Sequence, residues 1–159
     1  MSRAGLKSNS RMKKTLFTLL LATLTLPLAA AELEWQTDLP KALAKAKADK
    51  KMVFVNFTGS DWCGWCIKLK KEVFDTKEFA DYAKENLVLV ELDFPNKKKQ
   101  SAELKQANEA LKKEHKISGF PTLLTLDGEG KVLWKQVGYM KGGSTAWIEK
   151  LNDAKKKQS

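Results

Sequence analysis

The chain has 159 residues, of which 43% are hydrophobic and 30% charged, a balance that fits one globular domain and excludes a chain disordered throughout. Its formal net charge is +10, but five basic residues and no acidic residue fall within residues 1–31, and short lysine runs occur at Lys97–Lys99 and Lys155–Lys157. Because the remaining body is only mildly basic and no groove-reading motif accompanies the charge, we expect no nucleic-acid partner.

The N-terminus has the three parts of a secretory signal peptide. Basic residues precede an apolar run over residues 15–28, and Ala29–Ala31 supply the small side chains before a cut. We therefore expect residues 1–31 to be a signal peptide cleaved after Ala31, although Met12 could be the true start. The apolar run is shorter than the roughly 20 residues that cross a bilayer, so we expect no stable membrane span after processing. The mature protein would then be periplasmic or secreted.

Cys63 and Cys66 are the two cysteines of the chain. Export would place them where a disulfide persists. A bridge that closes so short a loop adds little stability, because the entropic benefit grows with loop length. A lipoprotein is excluded, since no cysteine stands at the expected cut. The pair is therefore expected to serve chemistry.

Hydrophobic periodicity predicts three helices and two strands in the first half of the mature chain. Asp38 can cap the first helix, in which Pro40 is tolerated because the N–H groups of the first turn have no partner. The next run is apolar and β-branched apart from Asn56, as in a strand that is buried on both faces. In chain order the elements are a helix over residues 38–49, a strand over Met52–Phe57, helices over Cys63–Phe74 and Lys77–Glu85, and a strand over Leu87–Asp93.

The sequence of the second half of the mature chain predicts a helix, a hairpin and a final helix. The first of these helices has Leu104, Ala107 and Leu111 on one apolar stripe. Two β-runs around a glycine-containing turn indicate an antiparallel hairpin. Ser144 can cap the last helix. The elements are a helix over Ser101–His115, strands over Thr122–Leu126 and Lys131–Val137, a helix over Ser144–Leu151, and a basic tail over residues 155–159.

The order of these elements predicts the fold class. Helices alternate with buried strands, which indicates a sheet with helices on both faces, and the hairpin adds an antiparallel edge. The expected class is α/β with a central mixed sheet. We expect one domain over residues 32–154, followed by the basic tail.

The motif Cys-Gly-Trp-Cys at residues 63–66 follows a buried strand and begins a helix. Unpaired backbone N–H groups and the positive end of the helix dipole favour a thiolate there, so we expect the pKa of Cys63 to lie below its usual range. Cys63, at the exposed first position, is the predicted nucleophile. Cys66, one turn further on, is positioned to attack the mixed disulfide that Cys63 forms. Catalysis is assigned to this pair.

Other uses of a cysteine pair fit the sequence less well. A zinc site needs about four ligands, and the chain adds one histidine, His115, which we expect at the surface near a helix end without an evident partner. Covalent haem attachment needs a histidine directly after the second cysteine, where Ile67 stands. A pair kept for packing alone remains an alternative. We therefore expect no metal and no cofactor.

Three segments carry a resemblance to a known family. They are Phe54-Val55-Asn56-Phe57, Trp62-Cys63-Gly64-Trp65-Cys66 and Gly119-Phe120-Pro121-Thr122. These segments resemble the strand, the redox motif and the cis-proline loop of the thioredoxin superfamily, and the likeness covers about residues 50–151. Details such as Asp61-Trp62-Cys63 and Glu72-Val73-Phe74 look most similar to the exported thiol-disulfide interchange branch, which includes the C-terminal domain of disulfide-interchange protein D.

The resemblance implies a thioredoxin fold with a substrate-binding surface around the cysteines. It implies a cis Phe120–Pro121 bond that faces the cysteines, with the Phe120 backbone free to pair with an extended substrate. An ordinary proline that opens an edge strand is the alternative. Gly64 is included in the substrate-binding set. Trp62 and Trp65 flank the thiols, either as an apolar rim for the substrate or as packing on the start of the helix.

Two residues depart from the thioredoxin pattern. Thioredoxins carry a buried Asp before the motif that assists deprotonation of the second cysteine, and here Asn56 takes that place, with one extra residue in the following turn. An asparagine cannot accept that proton. Water or another carboxylate, such as Glu91, could substitute, and the sequence does not choose between them. Trp65 stands where thioredoxin has Pro, so the redox potential cannot be carried over.

Together these patterns predict an exported thiol-disulfide oxidoreductase. It would reduce or isomerise disulfides in extracytoplasmic proteins, in preference to oxidising them. Its partners would be exported proteins with thiols or disulfides, and a redox partner protein that the sequence does not identify. The alternative is a non-catalytic module that binds or holds other proteins on a thioredoxin-like surface.

Overall fold

A computed structural model describes Met1 and residues 33–158 of the chain. Its elements, in chain order, are β1 (Trp35–Gln36), α1 (Leu39–Asp49), β2 (Met52–Thr58), α2 (Gly64–Leu69), a π-helical turn (Lys70–Phe74), α3 (Lys77–Asn86), β3 (Leu87–Asp93), α4 (Ala102–Glu114), β4 (Thr122–Leu126), β5 (Val132–Val137) and α5 (Gly143–Lys155). The predicted signal peptide beyond Met1, its cleavage site after Ala31 and the alternative start at Met12 lie outside the described residues.

The strands form one sheet in the order β1-β3-β2-β4-β5. The central strand β2 pairs in parallel with β3, from Met52 opposite Leu87 to Thr58 opposite Asp93. It pairs antiparallel with β4 on its other side, and β4 pairs antiparallel with β5. The expected mixed sheet with an antiparallel hairpin at one edge is confirmed. The edge strand β1 is absent from the sequence prediction, because two residues are too few to show a periodic pattern.

The pleat of the sheet separates two hydrophobic cores. One face, with Val53, Val55 and Phe57 of β2, packs against α1 and α4. The opposite face, with Met52 and Phe54, packs against α2, the π-helical turn, α3 and α5. All seven residues of β2 are buried, as expected for a strand that is covered on both sides. The predicted α/β class, with helices on both faces of the sheet, is confirmed.

Side-chain caps set the starts of three helices. Asp38, Thr76 and Ser101 each accept a hydrogen bond from the backbone N–H three residues further on, at 3.0, 3.3 and 3.2 Å. The helix predicted over Cys63–Phe74 is present but not uniform, because its α-helical part ends at Leu69 and a π-helical turn continues to Phe74. Periodicity alone does not distinguish these two backbone forms.

Asn108, rather than Ala107, faces the core from α4. Asn108 is 1% exposed and Ala107 is exposed, so the predicted apolar stripe is wrong at that position. The Nδ2 atom of Asn108 donates to the C=O of Asp93 at 3.0 Å. A carbonyl at the covered end of a strand needs such a partner. That requirement orients α4 and is invisible in the hydrophobic pattern.

The last helix begins at Gly143 and continues to Lys155, the first residue of the predicted tail. Its N-cap is Gly142, with φ of 110°, a conformation that favours glycine. A Cβ atom at Gly142 would also lie 2.6 Å from the Cβ of Ala146. The prediction that Ser144 caps this helix is wrong, because Ser144 lies inside it.

Trp147 is the side chain on which we expect one core to depend most. It is fully buried, and its ring centroid lies 5.4–6.4 Å from those of Phe54, Phe74 and Trp134. Trp147→Ala is expected to lower the free energy of unfolding by about 3–5 kcal/mol, measured by urea denaturation, because it leaves a cavity among these rings. Val137, 56% exposed, is the control: Val137→Ala should change that free energy by less than about 0.5 kcal/mol. Equal losses in the two variants would contradict the assignment.

Candidate redox site

Cys63 and Cys66 form a disulfide at the junction between β2 and α2. Their Cα atoms are 5.2 Å apart. Cys63 is the N-cap residue of α2, and its Sγ accepts a hydrogen bond from the N–H of Cys66 at 3.2 Å. The sulfur of Cys63 therefore occupies the place that a capping oxygen takes in other helices, where exposed N–H groups stabilise negative charge.

The two cysteines differ in backbone environment rather than in exposure. As whole residues Cys63 is 6% and Cys66 is 5% exposed. The expectation that Cys63 stands at an exposed position is therefore wrong for this disulfide-bonded form. What distinguishes Cys63 is the N–H of Cys66 that points at its sulfur. Cys66 lies on the inner side of α2 together with the fully buried Leu69.

The turn before the disulfide is hydrogen-bonded to the end of β3. The N–H and Oγ of Ser60 donate to the two carboxylate oxygens of Asp93 at 2.9 and 2.6 Å. The N–H of Cys63 donates to the C=O of Gly59 at 2.8 Å. Gly59 also lies directly against the indole of Trp62, since a Cβ atom there would be 2.4 Å from Cε2 of that ring. These contacts fix the position of Cys63 relative to the sheet.

Asp61 connects the same turn to the loop after β3. Its carboxylate accepts hydrogen bonds from the backbone N–H groups of Asn96, Lys97 and Lys98, at 2.9, 2.7 and 2.9 Å. The bond from Asn96 is the main cause that holds the pKa of Asp61 below its ordinary value. Sequence reasoning did not assign a role to Asp61, because its partners lie more than 30 residues further along the chain.

The Phe120–Pro121 peptide bond is cis, which confirms the prediction. The ring of Phe120 lies 5.8 Å from that of Trp62 and 5.1 Å from that of Phe94, so the cis-proline loop stands beside the redox turn. Pro121 is buried, and its C=O accepts the N–H of Gly138 at 2.8 Å. Within residues 33–158 neither the N–H nor the C=O of Phe120 takes part in a hydrogen bond.

Exposed apolar side chains surround the disulfide. Trp62 is 45%, Trp65 58% and Ile67 50% exposed. Trp62 also donates from Nε1 to the C=O of Phe94 at 2.8 Å. Gly64 between the tryptophans is exposed, and apart from its chain neighbours and the backbone of its own helix no atom lies within 4 Å of a Cβ placed on it. The sequence analysis did not include Ile67 in this surface.

Trp65 stacks on Tyr139, with ring centroids 5.5 Å apart. The Nζ atom of Lys68 lies over both rings, 5.4 Å from the Trp65 centroid and 5.2 Å from the Tyr139 centroid. Lys68 also pairs with Glu72 at 3.8 Å, and the hydroxyl of Tyr139 donates to the Glu72 carboxylate. Each tryptophan therefore has a packing contact and a large exposed surface at once.

Asn56 and Glu91 are opposite each other on β2 and β3. Both lie on the face of the sheet that carries Phe54, which is the face toward α2. Asn56 is 4% exposed, and its Oδ1 has no hydrogen-bond partner. Burial raises the pKa of Glu91 above its ordinary value, and the charge of Asp93 raises it further.

His115 is half-buried at the end of α4, and its ring meets that of Phe57 edge-to-face at 6.2 Å. Its C=O accepts a hydrogen bond from Nζ of Lys135 at 2.9 Å. The expected position near a helix end is confirmed, but His115 is half-buried and packs on Phe57 instead of lying at the surface without a partner. Among the described residues, no group of three or more His, Cys, Asp and Glu side chains is arranged to hold a metal ion.

The helices over residues 33–158 are all too short or too polar to span a bilayer.

Comparison with known proteins extends the resemblance from short segments to the domain. Residues 39–154 match the family model of the thioredoxin-like domain. The chain is 42% identical over 132 residues to the disulfide bond reductase DsbH of Chlamydia pneumoniae. The aligned region covers 83% of this chain and 78% of that protein. The solved structure of DsbH oxidoreductase aligns with a TM-score of 0.75 at 42% identity, over 83% of this chain and 90% of that one.

The C-terminal domain of DsbD from Neisseria meningitidis, solved in its oxidised form, shares the fold. Its TM-score is 0.56 at 18% identity, over 76% of this chain and 99% of that one. The region that matches the family model contains the cysteine pair and the cis proline. The chain therefore belongs to the thioredoxin-like family and, within it, to the thiol-disulfide oxidoreductases of the disulfide-interchange branch.

Proposed function

We propose that this protein is exported and reduces or isomerises disulfides in extracytoplasmic proteins through Cys63 and Cys66. The observation that carries the proposal is the Sγ of Cys63 at the start of α2, which receives the N–H of Cys66 beside the unpaired backbone of Phe120. The name of its relative in Chlamydia pneumoniae, a disulfide bond reductase, favours reduction over oxidation. The signal-like pattern over residues 1–31 supports a periplasmic or secreted location.

Reduction would proceed by two thiol-disulfide exchanges. The thiolate of Cys63 attacks one sulfur of the substrate disulfide, forms a mixed disulfide and releases the other substrate sulfur as a thiolate. The thiolate of Cys66 then attacks Sγ of Cys63, releases the second substrate sulfur and leaves the Cys63–Cys66 disulfide. Two electrons have passed to the substrate, so a reduced redox partner protein must restore the dithiol. In isomerisation another thiolate of the substrate attacks the substrate sulfur of the mixed disulfide, forms a new substrate disulfide and releases Cys63 as a thiolate, so no net electrons are transferred.

We assign substrate binding to the surface around the disulfide. The free N–H and C=O of Phe120, held by the cis bond to Pro121, can pair with an extended segment in the manner of an added strand. The exposed indoles of Trp62 and Trp65 offer apolar contact on both sides of the bound cysteine, and Gly64 leaves the space between them open.

For the proton of Cys66 we assign Glu91 as the acceptor. Asn56, at the position of the buried Asp of thioredoxins, carries no titratable group, whereas Glu91 lies opposite it on β3 and faces the same side of the sheet. Lys70, one turn after Cys66, is among the charges that act on the pKa of Glu91, which supports a position near α2. A carboxyl with a raised pKa is better suited to exchange protons near neutral pH than an exposed one.

The proposed activity can be tested with protein expressed with its full N-terminus and recovered from the exported fraction. Its mass should correspond to a chain that begins at Glu32, and it should accelerate insulin reduction by dithiothreitol well beyond the Cys63→Ser/Cys66→Ser control. Equal rates would contradict the enzyme and favour a binding module. Equilibration with glutathione then measures the reduction potential of the cysteine pair, which decides between reduction and oxidation of substrates. A potential of about −270 mV fits a reductase, and one of about −120 mV would contradict that preference.

The two cysteines should behave differently when one is replaced. Cys66→Ser is expected to accumulate mixed disulfides with exported proteins. Cys63 still attacks substrate disulfides, but no Cys66 thiolate is present to attack the mixed disulfide and release the substrate. Cys63→Ser, the matched control, should accumulate none. Acid quenching, alkylation and non-reducing gels measure the adducts. Dithiothreitol-sensitive adducts in equal amounts with both variants, or with neither, would contradict the assignment of roles.

Glu91 should leave a signature in the pH dependence of stability. Because its pKa is raised above 4.5, the folded protein keeps this proton at pH values where the unfolded chain has lost it. The free energy of unfolding should therefore fall as the pH rises from 4.5 through the raised value. In Glu91→Gln this fall should be smaller, as measured by urea denaturation across the pH series.

Exposed Glu85 is the control for that experiment, and Glu85→Gln should follow the wild type. If Glu91 accepts the Cys66 proton, Glu91→Gln should also prolong the lifetime of the mixed disulfide at neutral pH by about tenfold or more. A normal lifetime with an altered pH profile would leave Glu91 as a half-buried carboxyl without a role in the exchange.

A further inference from the structure

A loop of three consecutive lysines lies beside the redox turn. Lys97, Lys98 and Lys99 are all exposed and follow β3. The carboxylate of Asp61 holds this loop by accepting the N–H groups of Asn96, Lys97 and Lys98. Asp61 is two residues before Cys63, so the lysines keep a defined position relative to the nucleophile.

Within this lysine loop, residues 97–99, the charge of Lys98 acts on the pKa of Asp61 and of Glu91, whereas Lys97 and Lys99 face no such carboxylate in the described part of the chain. The ion pairs within residues 33–158 include none of the three. Asp61 is directed at backbone N–H groups and Asp93 at Ser60. Lys98 donates from Nζ to Oγ of Ser60 at 3.0 Å. Lys97 and Lys99 carry ammonium groups that are available to a partner.

Aromatic rings connect the lysine loop to the substrate-binding backbone. The ring centroid of Phe94, the first residue after β3, lies 5.1 Å from that of Phe120, and the centroid of Trp62 lies 5.8 Å from that of Phe120. Lys112 adds its Nζ over both phenylalanine rings, at 5.2 and 5.8 Å, and is itself 3.5 Å from Glu109. A segment that pairs with Phe120 would therefore pass over these rings toward the lysines. Lys97 follows Phe94 by three residues, so a bound segment that continued over these rings would approach the lysines a few residues from its cysteine.

The opposite side of the disulfide has a different charge balance. There Lys68 is paired with Glu72, which also accepts the hydroxyl of Tyr139. The charge of Lys68 is therefore balanced by Glu72 on that side.

We propose that the lysine loop binds acidic side chains of the extended substrate segment, and so selects protein disulfides with Asp or Glu near the reacting cysteine. The inference rests on the proposed function and adds the substrate class. The occupant is a stretch of a protein substrate that is acidic beside its cysteine, because exposed ammonium groups at a fixed site favour carboxylates and repel cationic segments.

The test compares three disulfide peptides that differ only in the residues flanking the cysteine, which are Glu, Gln or Lys. With the reduced wild-type protein, the second-order rate of reduction should be about tenfold higher for the Glu peptide than for the Lys peptide at low ionic strength. The two rates should converge at about 0.5 M salt, where charges beyond a few ångströms are screened.

Lys97→Gln/Lys99→Gln should bring the Glu-to-Lys ratio close to one and leave the Gln peptide unaffected. Lys98 is kept, because it bonds the redox turn. The matched control is Lys131→Gln/Lys150→Gln, which removes the same charge from exposed lysines outside the loop and should retain the ratio. An equal loss in the control, or equal wild-type rates for all three peptides, would overturn this inference alone. Failure to reduce any peptide would overturn the proposed function and this inference with it.

Discussion

The carboxyl end of the central strand β2 is the constraint on which the site depends. β2 runs parallel to β3 and antiparallel to β4. The ends of β2 and β3 and the start of β4 must therefore meet at one edge of the sheet. The redox turn, the loop after β3 and the cis-proline loop are the three connections at that edge. Burial of all seven residues of β2 makes this arrangement costly to shift, because a register change would expose one core or the other.

Hydrogen bonds to two aspartates join two of these connections, the redox turn and the loop after β3. Asp93 ends β3 and receives Ser60 of the redox turn, while Asp61 of that turn receives three N–H groups of the following loop. Trp62 adds a bond to the C=O of Phe94. Each bond joins a residue near Cys63 to the other connection, so the nucleophile and the groups around it are held as a unit. Charge-assisted bonds of this kind are stronger than neutral ones, which suits an anchor near the surface.

The face of the sheet below α2 departs from the thioredoxin pattern in an informative way. Where thioredoxins have a buried Asp, this chain has Asn56, so β2 lacks that charge. Glu91, a carboxyl of raised pKa, lies opposite Asn56 on the neighbouring strand β3. The free Oδ1 of Asn56 marks a polar place within an apolar layer. Buried polar atoms without a hydrogen-bond partner are uncommon in folded proteins.

The sequence by itself determined most of the elements, the class of fold and the chemistry. The strands predicted over Met52–Phe57 and Leu87–Asp93 are mainly apolar runs, Asp38 and Ser101 are caps, and Cys63 with Cys66 is a local motif. Each of these depends on residues within a few positions of one another, where side-chain periodicity and capping act directly. The cis bond at Pro121 was within reach through resemblance to a family.

Only the tertiary structure decided what joins distant segments. The binding of the lysine loop by Asp61, the inward turn of Asn108 toward Asp93, the opposition of Asn56 and Glu91, and the contact of His115 with Phe57 all bridge more than ten residues of chain. Such contacts follow from strand order and register, which a hydrophobic pattern constrains but does not specify. A buried polar group takes whichever partner the fold brings within hydrogen-bond distance, and that distance exists only once the sheet has assembled.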